Sequence, residues 1–215
     1  CREIMVIDDL ANRRHDCDIL LDQNFYLNKD VRYAGLVPEH CKMLLGPEHA
    51  LLREEFRKAK KHLRKRDGTI KNILVFYGGS DLTNETEKAI EALVQLHDEG
   101  YNFTADVITG VSNSRREKIE KICSKYHFVH YYCQVSNMAE FMNKADLMLG
   151  AGGSTTWERL YMELPALVTA VAENQIQGCE DCCKAGVINY LGKAEKVTVG
   201  IIREAIKQMP LLIEN

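Results

Sequence analysis

From Asn72 onward, short apolar runs of strand length alternate with longer stretches whose apolar positions recur every three or four residues. That alternation predicts a parallel sheet covered by helices. Ile73 to Tyr77 is the first run. It ends in Gly78-Gly79-Ser80-Asp81, and Asn84 to His97 follows with Ala89, Ile90, Leu93, Val94 and Leu96 at helical spacing, closed by Gly100. Phe103 to Thr109 reads as a second strand before Gly110, Ser114 to Tyr126 as a second helix, and Phe128 to Tyr132 as a third strand. Asn137 to Lys144 places Met138, Phe141 and Met142 on one helical face, and Ala145 to Leu149 forms a strand running into Gly150-Ala151-Gly152-Gly153. A helix starts near Ser154 and ends at Leu164-Pro165. Ala166 to Val171 returns as a strand, Gln175 to Ala185 is helical up to Gly186, and Val187 to Leu191 is a short last strand. Thr198 to Met209 reads as a final helix stopped by Pro210. Residues 67–215 therefore read as a complete nucleotide-binding α/β domain, a Rossmann-like parallel sheet with helices on both faces.

Upstream, Ile4 to Ile7 and Ile19 to Leu21 are strand-like, with no room for a sheet of five or six strands. Residues 1–66 are expected to be the C-terminal remnant of a preceding α/β domain together with a linker helix. The length of 215 residues is awkward for two complete domains, and the chain opens with Cys1 rather than methionine. Both observations fit a fragment.

Composition narrows the class. With 46% apolar residues, 27% charged residues and a formal charge of −3, the chain is an ordinary globular protein, which excludes disordered, collagenous and membrane-embedded classes. No run of about 18 uncharged apolar residues is present and no basic–apolar–small leader opens the chain, so neither a membrane span nor a signal peptide is expected. Eight cysteines follow no disulfide-framework spacing, which fits free thiols in the cytoplasm. The group Cys179-x-x-Cys182-Cys183 resembles half of a zinc site but lacks a second pair at finger spacing, and no metal is expected. Arg57 to Arg66 holds seven basic residues in ten, leaving the rest of the chain strongly acidic. Without interleaved aromatics this run does not have the signature of a nucleic-acid surface, and it reads as the end of one structural unit and the approach to the next.

Two glycine-rich turns follow strands of the same sheet and so share its carboxyl edge, where open α/β sheets bind ligands. In the second, Gly152 and Gly153 would admit a phosphate to the backbone, and Ser154, Thr155 and Thr156 supply donors at a helix N-terminus. A tight turn with a Ser/Thr cap is the alternative. The turn is neither a Walker loop nor Gly-x-Gly-x-x-Gly. Glu158, one turn into that helix, suits the hydroxyls of a ribose or is simply a carboxylate favoured near a helix start. Glu173-Asn174-Gln175 suits a polyhydroxylated ligand or a solvated cap.

Ile7-Asp8-Asp9-Leu10-Ala11-Asn12-Arg13, His15-Asp16-Cys17-Asp18, Leu21-Asp22-Gln23-Asn24, Leu45-Gly46-Pro47, Gly78 to Asp81, Gly150 to Glu158 and Ala172 to Gln175 together carry a resemblance. In order and over nearly the whole chain, they resemble the UDP-sugar hydrolase of pseudaminic acid biosynthesis and the related spore-coat polysaccharide biosynthesis proteins. More distantly they resemble the lipid II-forming GlcNAc transferase, a two-domain GT-B enzyme. The resemblance implies the C-terminal half of a GT-B architecture plus the end of the N-terminal domain. It further implies that Val135 holds uracil, that Gly152, Gly153, Ser154 and Thr155 hold the diphosphate with Gly79 and Ser80 facing it, that Glu158 holds the ribose, and that Asn174 and Gln175 contact the hexose. The family's catalytic base is a histidine in the first glycine-rich loop of the N-terminal domain, a segment not found in this sequence. None of the seven histidines matches it, so no catalytic residue is assigned. Asp8 and Asp9 either line the interdomain cleft or cap a turn.

The function implied is hydrolysis of a UDP-linked diacetamido-trideoxy hexose to UDP and free sugar, with inversion and without a cofactor or metal, in nonulosonic acid or surface polysaccharide synthesis. A Mg²⁺ requirement would count against it. A GT-B glycosyltransferase with a UDP-sugar donor, and a non-catalytic UDP-binding or structural coat component, are the alternatives.

Overall fold

The computed structural model describes residues 3–209. Cys1 and Pro210, which carried the fragment reading and the last helix stop, lie outside the described residues. Two parallel sheets follow one another along the chain. The first has three strands, β1 (Met5–Ile7), β2 (Ile19–Asp22) and β3 (Lys42–Leu45), in the order β1-β2-β3. The single-turn helix α1 (Lys29–Arg32) lies between β2 and β3, and Cys17, Leu20, Tyr33 and Cys41 form its small core. The third strand went unread because Lys42-Met43-Leu44-Leu45 opens on a charge and stays exposed or only half-buried, without a clean two-residue alternation.

After α2 (Glu54–Lys60) comes the larger sheet, β4 (Asn72–Phe76), β5 (Thr104–Thr109), β6 (Val129–Cys133), β7 (Leu147–Ala151), β8 (Ala166–Ala170) and β9 (Asn189–Lys193). Its order is β6-β5-β4-β7-β8-β9, with all neighbours parallel. The connecting helices are α3 (Glu85–Asp98), α4 (Arg116–Cys123), α5 (Met138–Lys144), α6 (Thr155–Tyr161), α7 (Glu173–Lys184) and α8 (Val199–Lys207). The two-residue period of the strands sends Ile73, Val75, Leu147 and Leu149 to one face, against Leu93, Ile119 and Ile202 of α3, α4 and α8. Leu74, Met148 and Val168 go to the other face, against Phe56, Met142, Trp157 and Cys179 of α2, α5, α6 and α7. Each fully buried Leu or Ile contributes about 2 kcal/mol by leaving water. The Rossmann-like α/β fold expected from the pattern is the one observed.

Several boundaries differ from the expected ones, and three of them bear on the site or the strands beside it. Strand β7 runs on through Gly150 and Ala151, which stay in register with Val168 and Thr169 of β8. A Cβ at Gly150 would stand 2.9 Å from the Phe76 carbonyl oxygen, so this glycine fits the strand to its neighbour and the turn begins only at Gly152. Helix α7 starts at Glu173, which puts Asn174 in its first turn rather than before it. The last strand starts at Asn189 rather than Val187, because the Val187 N–H closes α7 by donating to the Cys182 carbonyl at 3.0 Å.

The basic run packs on the larger sheet's helices. Arg66 donates to the carbonyls of Met142 (2.8 Å), Ala145 (2.9 Å), Met162 (3.1 Å) and Glu163 (3.0 Å). Arg64 donates to those of Asn143 (2.7 Å), Lys144 (2.8 Å) and Ala145 (2.9 Å) and pairs with Asp146. The two guanidinium groups thus satisfy the orphan carbonyls that end α5 and α6, where positive charge also suits the helix dipole.

Candidate functional site

The strand order reverses between β4 and β7, and both glycine turns open from this switch point. After β4, Gly78 adopts the left-handed φ of +90° that lets the chain turn out of the sheet. Both carboxylate oxygens of Asp81 then accept the Glu85 and Thr86 N–H groups at 2.9 Å, seating the start of α3. The turn after β5 lies against this one: Ser112 Oγ donates to the Gly79 carbonyl at 3.1 Å, and a Cβ on Gly110 would be 2.5 Å from that oxygen.

After β7, Gly152 is required by packing, since a side chain there would collide with Cys179 Sγ of α7. A Cβ on Gly153 would lie 3.5 Å from Gln175 Nε2. Ser154 begins α6 without a side-chain cap bond, so its hydroxyl is not consumed in starting the helix. The two turns face a crevice of about 390 Å³ whose lining includes Gly79, Val135, Ser154, Thr155 and Glu158. A second cavity of about 510 Å³ opens between the two sheets, lined by Gly152, Gly153, Ser154, Asn174 and Gln175 on one side and by Asp8 and Asp9 on the other. Ser154 borders both spaces. Of the residues that the sequence offered for ligand contacts, Gly79, Val135, Gly152, Gly153, Ser154, Thr155, Glu158, Asn174 and Gln175 line one space or the other, whereas Ser80 and Glu173 line neither.

Several side-chain contacts at this site are not announced by the motifs. Arg53, ahead of α2, reaches across to Glu158 with Nε 2.9 Å from the carboxylate, and also pairs with Glu55 at 2.6 Å. The other Glu55 oxygen accepts the Ala139 N–H at the start of α5, at 3.1 Å. Trp157 Nε1 donates to Asn24 Oδ1 at 3.0 Å, and the Leu27 N–H donates to Asp181 at 3.1 Å, so α6 and α7 are tied to the segment after β2. Gln23 and Asn24 line the larger cavity beside Ile7 and Leu21. These links join residues far apart in the chain, and no local pattern announces them.

Asp8 and Asp9 have separate roles. The Asp8 carboxylate is buried, accepting the Ala11 N–H at 2.9 Å and the Tyr33 hydroxyl at 3.2 Å, with His15 Nε2 at 3.6 Å. Burial pushes its pKa up, but these donors outweigh burial and hold the carboxyl below its ordinary value. Asp8 is thus a turn cap, holding Ala11 at a left-handed φ of 48°. Asp9 is exposed at the cavity rim, and its carbonyl takes the Arg32 guanidinium at 2.7 Å. Cys179 and Cys182 are buried in α7, where burial pushes their thiols up to about 12 and about 11, whereas Cys183 is exposed. Among the described residues, no three His, Cys, Asp or Glu side chains are placed to share a metal ion.

A relative from Methanocaldococcus jannaschii, an uncharacterized protein, is 30% identical over 95% of this chain and 41% of its own length. The UDP-2,4-diacetamido-2,4,6-trideoxy-beta-L-altropyranose hydrolase of Campylobacter jejuni is 27% identical over 80% of this chain and 59% of its own. The chain spans about half the length of the curated relatives it matches. Among solved structures, MurG of Acinetobacter baumannii superposes with a TM-score of 0.59 at 13% identity, covering 88% of this chain and 56% of that one, and the shared fold is GT-B. The model of the glycosyltransferase family 28 C-terminal domain matches residues 72–186, which run from β4 through the end of α7. The chain belongs to the glycosyltransferase family 28 C-terminal domain family.

Proposed function

We propose that this chain supplies the UDP-binding part of an enzyme that cleaves a UDP-linked diacetamido-trideoxy hexose into UDP and free sugar. The observation that carries the reading is the pair of spaces meeting at Ser154, one sized for a nucleoside and the other opening between the sheets. Uracil lies against the Val135 backbone, ribose hydroxyls on Glu158, the diphosphate at Gly152 to Thr155 opposite Gly79, and the hexose by Asn174 and Gln175. Residues 1–66 are then the end of the N-terminal catalytic domain and residues 67–215 the nucleotide domain. The rest of the catalytic machinery belongs to the part of the relatives' length that this chain does not span.

In the reaction, water attacks the anomeric carbon on the face opposite UDP, its proton passes to a base, and the C–O bond to the diphosphate breaks with inversion. This chain contributes charge stabilisation of the departing diphosphate through backbone N–H and hydroxyl donors that are already oriented before the bond breaks. The family match favours one second reading, transfer of the sugar to an alcohol instead of water on the same donor site. Incubating the UDP-sugar with the full protein distinguishes them. Free sugar released stoichiometrically with UDP in the absence of any acceptor supports hydrolysis, and release that depends on an added alcohol acceptor contradicts it.

A further inference from the structure

Arg159 of α6 is fully buried, and its charge has no counterpart there. Nη2 donates to Thr156 Oγ1 at 3.3 Å, while Nε and Nη1 meet no acceptor among the described residues. The ionisable groups beside it are the thiols of Cys179 and Cys182 in α7, and burial keeps both of these protonated at neutral pH. Burial also pulls the guanidinium down to about 10, which still leaves it charged at neutral pH. An ion without a partner in a protein interior is strongly unfavourable, and an apolar side chain of similar volume fills such a place at less cost. A charge kept under those conditions points to a counterpart that arrives from outside the chain.

Its surroundings place that counterpart in the cavity between the sheets. Thr156, Cys179 and Cys182 line this cavity, so the guanidinium lies directly behind its wall. The same Cys179 Sγ stands against Gly152, which ties the buried charge to the turn at 152–155. On the walls themselves free positive charge is missing. No Lys, Arg or His lines the cavity, and its charged lining residues are Asp8 and Asp9, which repel an anion. In the adjoining crevice Arg53 is already paired with Glu158 and Glu55. A diphosphate at this turn therefore finds its unpaired cation behind the wall.

We infer that Arg159 is a positioning residue for the diphosphate, its buried charge being the positive counterpart that the turn at 152–155 lacks. This rests on the reading of that turn as the diphosphate seat. The guanidinium does not touch the ligand. It acts across Thr156 and the two thiols, where the protein interior screens a charge far less than water does.

The test compares two neutral variants, Arg159→Met and Arg159→Gln, with Arg159→Lys, which keeps a cation. Thermal unfolding identifies which of them fold. The parent chain and the folded variants are then titrated calorimetrically with UDP, with uridine, which carries no phosphate, and with inorganic pyrophosphate. A folded neutral variant is expected to lose about tenfold in affinity for UDP and for pyrophosphate while uridine binds as before, and Arg159→Lys is expected to recover most of that loss. UDP affinity unmoved in a folded neutral variant, or a fall shared equally by uridine, overturns the inference. Failure of both neutral variants to fold overturns it too, because the fold then needs the charge without any anion. If the parent chain binds pyrophosphate but not UDP, the nucleotide reading fails and the pyrophosphate affinities alone decide the role of Arg159. If it binds neither, both fall.

Discussion

Gly152 shows how much one missing side chain does at this site. A methyl group at its Cα would meet Cys179 Sγ of α7, so the thiol would have to move to make room. Gly152→Ala is expected to lower stability by about 1–3 kcal/mol, and Cys179→Ala in the same chain to recover most of the loss. Urea unfolding of the two single variants and the double variant measures this coupling. If the losses simply add, the contact is not the cause. Glu158 is the second residue-scale case. Its carboxylate sits in the crevice paired with Arg53, and in the proposed complex it accepts from ribose. Glu158→Gln is expected to weaken UDP binding about tenfold or more and to narrow the preference for UDP over 2′-deoxy-UDP, measured by competition. Loss of affinity without any change in that preference would place Glu158 away from the ribose. The sequence pointed to Glu158, Ser154 and the glycines because a turn after a strand at a sheet's carboxyl edge has few chemical purposes. It did not point to Arg53, whose partner lies 105 residues away, and although Gln23 and Asn24 stand in one of the runs that carry the resemblance, their contacts 28 and 133 residues away are not legible there.

At the scale of elements, the linker holds the larger domain together from outside. Arg64 and Arg66 close the carboxyl ends of α5 and α6, and Asp146 completes the junction by accepting the Lys71 and Asn72 N–H groups at 2.9 Å and 2.8 Å. Removing one guanidinium in Arg66→Ala leaves several carbonyls without their donor and is expected to cost about 1–3 kcal/mol, read as a lowered midpoint of thermal unfolding. Burial pushes the Asp146 carboxyl up, but Arg64 and the two backbone donors outweigh it and hold its pKa below the ordinary value. Its contribution to stability is therefore complete above the unfolded pKa of about 3.9 and is lost as pH falls through that value toward the folded one. Urea midpoints between pH 7 and pH 3 should fall at the acid end, and Asp146→Asn should flatten that limb. An unchanged acid limb would mean that another carboxylate governs it. Periodicity gave the order and type of nearly every element of the larger domain, since apolar runs such as Ile73 to Phe76 are buried on both faces. It missed β3, and it misplaced β7 and β9, because backbone contacts at Gly150 and Val187 set those ends.

For the whole molecule, the two sheets meet across a cavity to which each contributes side chains, and the switch point of the larger sheet supplies the turns beside it. Family membership and the GT-B fold describe an architecture common to several sugar-nucleotide reactions, so what belongs to this chain rests on its own residues. Isothermal titration of the chain with UDP, and in parallel with ADP, decides whether the crevice at Gly79, Val135, Ser154, Thr155 and Glu158 is the proposed UDP site. Saturable one-to-one binding of UDP and at least tenfold weaker binding of ADP are expected. Absence of any heat of binding with UDP, or equal affinity for ADP, would rule the site out.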